Sequence, residues 1–149
     1  MRRTALTVTT LVTFAAGCGQ SAKPFAIRDV CSQPAGTNVV VEGFPSLPRS
    51  IETIEVSKGG RIADVAYRIP LMADPDASGT SVKVTIWTTA DGEPNRMKSM
   101  TNGYGLEELT VYAENGDPVT TGKRVRLTGV TEADRNSGCV VNVTKIETP

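Results

Sequence analysis

The chain has 149 residues, enough for one domain of ordinary size and not for two. Apolar residues make up 39% and charged residues 21%, a globular composition and not a disordered one. Sixteen basic side chains balance 16 acidic ones, and His is absent, which excludes imidazole as a base, a metal ligand or a pH switch near neutrality.

Residues 1–17 read as a leader and not as part of a fold. Arg2 and Arg3 form a short positive start, and residues 5–16 are apolar but too few to span a bilayer comfortably. Next comes Ala15-Ala16-Gly17-Cys18. Small residues before a Cys at the end of an apolar run resemble the lipobox of bacterial lipoproteins. The resemblance implies cleavage before Cys18, a diacylglycerol thioether on its sulfur and acylation of the new amino group, for example by palmitate. Two or three acyl chains hold a protein on a membrane where one does not. Gly19 after the Cys resembles the outer-membrane sorting pattern of double-membraned bacteria. The implied location is the extracytoplasmic side of the cell envelope, with residues 18–24 as a polar tether. An ordinary secretory signal with a chance Cys, or a twin-Arg signal, are the alternatives.

Loss of Arg2 and Arg3 leaves 14 basic against 16 acidic side chains, a net of −2. Such a domain gains no long-range attraction to nucleic acid or to anionic headgroups. With Cys18 lipidated, Cys31 and Cys139 remain as an even pair in a compartment that permits disulfides. Their bridge would close a loop of over a hundred residues, worth about 4–5 kcal/mol in the chain-entropy account. A metal site or reactive thiol is the alternative, without His or CxxC spacing to support it.

In the mature part, short alternating runs between Gly, Pro, Asn and Asp predict an all-β domain over residues 25–149. Residues 25–31 predict one short helix, stopped by Pro34 and Gly36. Residues 37–44 predict a strand with Val39 and Val41 on one face, Val40 and Glu42 on the other. Ile54 and Val56 precede Gly59-Gly60, a two-residue hairpin signal. Val65, Tyr67, Ile69 and Leu71 alternate with Ala66, Arg68 and Met72, and residues 74–80 form a loop. Val82, Val84 and Ile86 make the next inward face, opposite Lys83 and Thr85, and Asp91-Gly92 ends it. In residues 93–109, Met97, Met100, Leu106 and Leu109 suggest a loose helix or a folded loop, interrupted by Gly103 and Gly105. Residues 110–113 read as a short strand closed by Asn115-Gly116. Residues 124–130, with Val125 and Leu127 inward, and residues 138–146 complete the pattern.

Val39-Val40-Val41-Glu42-Gly43 and Val125-Arg126-Leu127-Thr128-Gly129 echo each other. A Val-rich strand interrupted by Gly resembles the first and fourth strands of OB-fold barrels, where the missing side chain lets the strand bend. Residues 37–147 are similar to the small exported OB-like proteins whose domains resemble the anticodon-binding domain of tRNA synthetases. The resemblance implies a small OB-like β-barrel of five to seven strands with a short N-terminal helix. A β-sandwich is the alternative.

Candidate chemistry is sparse. Asp74-Pro75-Asp76-Ala77-Ser78-Gly79 resembles the first half of a calcium loop, with Asp74, Asp76 and Ser78 as ligands, although Thr85 stands where an acid would close it. Against that stands a plain polar loop and a domain without any cofactor. Trp87 near Lys83, with Arg124 and Arg126 outward, outlines a patch on which single-stranded nucleic acid would stack, but the acidic balance makes nucleic acid a weak partner. Ser57-Lys58 and residues 120–123 are the hydroxyl–amine neighbours to single out, but such pairs occur by chance, and no triad forms without His. The expectation is therefore not an enzyme. It is a lipid-anchored binding module that meets an envelope protein or glycan through Lys83, Thr85, Trp87, Arg124 and Arg126.

Overall fold

A computed structural model describes residues 24–149, apart from residues 77 and 102. The leader, Cys18 and the tether up to residue 23 lie outside the described residues. Helix α1 (Ile27–Val30) is followed by strands β1 (Asn38–Pro45), β2 (Glu52–Lys58), β3 (Arg61–Met72), β4 (Ser81–Thr89) and β5 (Arg96–Lys98). A 3-10 turn (Leu106–Glu108) then leads to β6 (Thr110–Tyr112), β7 (Pro118–Thr120), β8 (Val125–Asp134) and β9 (Gly138–Glu147).

The all-β expectation holds, with one short helix where the sequence placed it. Five strands close on themselves: β1 pairs with β8, β8 with β9, β9 with β4, β4 with β3, and β3 again with β1. All of these pairings are antiparallel except β4–β9. The closing seam is short, Phe44 opposite Met72 and Pro45 opposite Leu71. Alternation is what makes closure favourable, because each strand presents every second side chain to the inside. Val39, Val41, Val84, Ile86, Val125 and Leu127 are each 1% exposed or less, on the faces expected of them.

Two glycines allow the strands to pass this closely. A Cβ on Gly43 would sit 2.5 Å from the Met72 carbonyl oxygen and 2.9 Å from Leu71 Cγ. One on Gly129 would run into the Asn142 carbonyl oxygen and come 2.7 Å from Val141 Cγ1. Gly129 also sits where the β8–β9 register shifts, so the strand bends there without a side chain in the way.

Among the described residues there are nine strands, the five of the ring and four more beside it. The surplus comes from two places. The β2–β3 hairpin turns at Gly59 and Gly60 with φ of 61° and 76°, as the two-residue signal requires, and leaves β2 paired with β3 alone among the described residues. The stretch expected to be a loose helix or folded loop instead supplies β5, which runs parallel to the end of β4, and β6 and β7 extend it into a small sheet. Local pattern missed this because the stretch is ordered from outside. The Ile146 N–H donates to Asn95 Oδ1 at 2.7 Å, and the Glu114 N–H donates to the Ile146 carbonyl at 2.7 Å. Met97, Leu109, Val111 and Val119 then join the core of the ring.

Cys31 and Cys139 form a disulfide with Cα atoms 5.4 Å apart. It ties the end of α1 to the start of β9, while Ile27 and Val30 of α1 are buried in the core.

Candidate functional site

The outer surface of β3 and β4 carries the densest chemistry. Strand pairing places Glu52, Arg68, Thr85 and Asn142 in one cross-strand row, and Pro70, Lys83 and Val140 in the next. Opposed residues of paired strands point to the same side. Arg68 Nη1 lies 2.6 Å from Glu52 Oε1 and 3.5 Å from Asp134 Oδ1. Lys83 Nζ lies 3.2 Å from Glu52 Oε2 and 3.7 Å from Asp134 Oδ2. Two cations and two carboxylates thus form one closed network with no net charge.

Asp134 belongs to β8, which on this side of the ring is separated from β3 by β9 and β4. To meet, Arg68 and Asp134 must lie along the sheet across roughly 14 Å of intervening strands. Thr85 and Val140, on those intervening strands, are 5% and 0% exposed although they face outward. Long charged side chains cover apolar surface with their stems in this way. Thr85, expected as a ligand contact, is therefore covered, and its opposed neighbour Arg68 is the group of this row that meets the carboxylates.

Both carboxyls ionise readily. Burial works against charged Glu52, but hydrogen bonds from Lys83 and Arg68, with their positive charges, hold its carboxyl below the ordinary range. The Ser137 hydroxyl donates a short hydrogen bond to Asp134, and its N–H donates another at 2.9 Å. With the Lys83 and Arg68 charges these hold Asp134 low against its own desolvation. Ser137 is positioned by the β8–β9 turn, where Asp134 and Gly138 are the last opposed pair.

Two buried side-chain polar atoms among the described residues have no hydrogen-bond partner, Arg68 Nε and Thr85 Oγ1. They belong to directly opposed residues of β3 and β4. Arg68 also lines a cleft of about 300 Å³, walled by Pro48, Glu52, Lys83, Ser137 and the Cys31–Cys139 disulfide.

The remaining candidates lie elsewhere. Arg126 Nη2 and Arg124 Nη2 hold Glu42 at 2.6 and 2.9 Å, and Glu42 is only 13% exposed. This second cluster joins β1 to β8. Arg126 and Asp134 are eight residues apart on β8, roughly 26 Å along the strand. Arg124 and Arg126 are thus not in one patch with Lys83. Trp87 is half-buried on the outer face, opposite Ala66, which in turn opposes Ile54. Flanked by these two, Ala66 is fully buried although it faces outward, while Tyr67, opposite Ile86, packs against the core as its alternation predicts. In the loop after β3, Ser78 donates to Asp76 Oδ1 through its hydroxyl at 2.6 Å and its N–H at 3.1 Å, which holds the Asp76 carboxyl low. The Asp74 carboxylate turns toward Gly79. Among the described residues no three His, Cys, Asp or Glu side chains gather as metal ligands would.

Sequence reasoning missed Glu52, Arg68 and Asp134. Arg68 carried a signal, a charge inside the apolar alternation of a long strand, where a buried charge needs a partner. No protein family, no curated protein and no solved structure matches this chain.

Proposed function

We propose that the chain is a non-catalytic binding module of the bacterial envelope, held there by a lipid on Cys18, whose ring is an OB-like barrel that takes a neutral, hydroxyl-rich ligand such as an envelope glycan in the cleft. Three supports bear on the fold. The five ring strands close on themselves within one sheet, whereas a sandwich packs two sheets face to face. The first four strands of the ring lie in the spatial order fourth, first, second, third, a Greek key. The cleft lies on the second and third of them, between the connection after the first strand and the turn before the fifth, where OB barrels bind oligonucleotides and oligosaccharides.

The observation that carries the ligand class is the charge-balanced network at the wall of the cleft. A phosphate chain needs surplus positive charge, and here each cation is already matched by a carboxylate. A sugar hydroxyl both donates and accepts, so it suits a surface where donors and acceptors alternate. At the cleft wall the Arg68 guanidinium and the Lys83 ammonium can donate and the Glu52 carboxylate can accept, and Pro48 and Pro70 offer an apolar strip for the C–H face of a ring.

The test is titration with soluble wall-glycan fragments, followed by Trp87 fluorescence and by calorimetry. Saturable binding that Arg68→Met abolishes, with the fold intact by circular dichroism, supports the reading. Quenching by single-stranded oligonucleotides that fades with salt, and no response to glycan, would replace it with nucleic-acid binding. The anchor is tested separately. Cys18→Ser should release the protein from membranes or leave its leader uncut, and normal processing and membrane retention would refute it.

A further inference from the structure

Strand β2 stands at one end of the strand order and pairs only with β3 among the described residues. Its outer edge therefore presents unpaired backbone N–H and C=O groups. Residues 55–63 of the hairpin are exposed throughout, including Val56 at 44% and Ile62 at 57%. A two-stranded ribbon with both faces in water is marginal by itself. An edge strand is also a template for another strand, unless its side chains forbid it.

The side chains of β2 forbid most partners and suit one. An antiparallel pair joins residues whose N–H and C=O groups point at each other, and only alternate residues turn these groups to a given edge. A strand can therefore meet a copy of itself only with residues of one parity opposed. Among those registers, the one centred on Glu55 pairs all seven residues of Glu52–Lys58. It opposes Glu52 to Lys58, Thr53 to Ser57 and Ile54 to Val56, each twice by the two-fold symmetry. Acid meets base, hydroxyl meets hydroxyl and apolar meets apolar. Only Glu55 meets its own kind, at the axis. Shifting either copy by two residues sets Glu52 against Val56 or Ile54 against Lys58.

We propose that the β2 edge is a homodimer interface, in which two copies of this chain pair antiparallel about Glu55 and continue the sheet from one ring to the other. The strand register supplies a second reason. Ile54, Ala66 and Trp87 form an apolar row across β2, β3 and β4 on the outer face. Val56 of the second copy extends that row beyond Ile54. Lys58 of the second copy falls beside Glu52 at the rim of the charged cleft, so each copy borders the cleft of the other. The contact is isologous and uses up both β2 edges. The opposite end of the strand order, β7, has three residues and begins with Pro118, so the same pairing does not propagate into a filament.

The test is site-specific crosslinking of the full chain in bacterial membranes, read on a non-reducing gel under mild oxidation. Opposed Cα atoms of an antiparallel pair lie within disulfide reach. Glu55→Cys should give a covalent dimer well above that of the unsubstituted chain. Thr53→Cys and Ser57→Cys should each give none above that level, and the two together should restore it. Adding Lys58→Glu to Glu55→Cys sets like charges opposite Glu52 and should remove the dimer. Glu55→Thr, which removes the repulsion at the axis without adding a thiol, should shift sedimentation of the detergent-solubilised chain toward the dimer. Crosslinking equal at residues 53, 55 and 57, no crosslink at residue 55, or sedimentation indifferent to Glu55→Thr would each overturn the proposal.

Discussion

The ring and the β2–β3 hairpin are written in the same alternating pattern and end in opposite environments. Val82, Val84 and Ile86 of β4 face inward and are 3% exposed or less, whereas Val56 and Ile62 of the hairpin are 44% and 57% exposed. Neither β-propensity nor period distinguishes the two stretches. What differs is closure. A ring strand has two neighbours and an interior opposite its apolar face, and the hairpin tip has one neighbour and water. Alternation therefore reports a strand with two unlike faces and leaves open what covers the apolar one.

That contrast yields a graded series of expectations. The largest effect falls on the clamp of the ring. Replacing Cys31 and Cys139 together by Ser should cost about 4 kcal/mol, read as the shift in a denaturant transition. Ile86→Ala, which opens a cavity in the fully buried core, should cost about 3 kcal/mol in the same experiment.

The charged network across β2, β3, β4 and β8 should contribute less, and its signature is the pH dependence. Glu52 and Asp134 are both held below their ordinary values, so their contribution is complete above the ordinary carboxylate range. It is lost as pH falls through their lowered folded values, because the unfolded chain takes up protons first. The melting temperature should therefore drop on acidification below that range. Glu52→Gln should flatten part of the drop, and an unchanged slope would show that the network does not couple to folding. The smallest effect belongs to the hairpin tip. Ile62→Ala should change stability by no more than about 0.5 kcal/mol, and a loss as large as that of Ile86→Ala would mean that the tip is covered in solution.

The candidate site divides along the same line. Lys83 and Trp87 were legible as outward residues of an alternating strand, and they do lie on the outer face. Arg124 and Arg126 were legible as outward too, but both are committed to Glu42 on β1. Glu52, Arg68 and Asp134 were not legible as a group. They come from β2, β3 and β8, and no local spacing relates them.

By itself the sequence determined the strand content, the hairpin at Gly59-Gly60, the inward faces of β1, β4 and β8, and the pairing of Cys31 with Cys139. These rest on side-chain alternation, on the left-handed backbone that glycine accepts, and on the even pair of cysteines that remains when Cys18 is read as a lipidation site. Only the tertiary structure decided that residues 93–120 form a small sheet, that outward-facing Thr85 is covered, and that four charges from four strands meet beside one cleft. Each of those depends on which strands become neighbours. Neighbours are chosen by closure of the whole ring, a property that no short window of the chain contains.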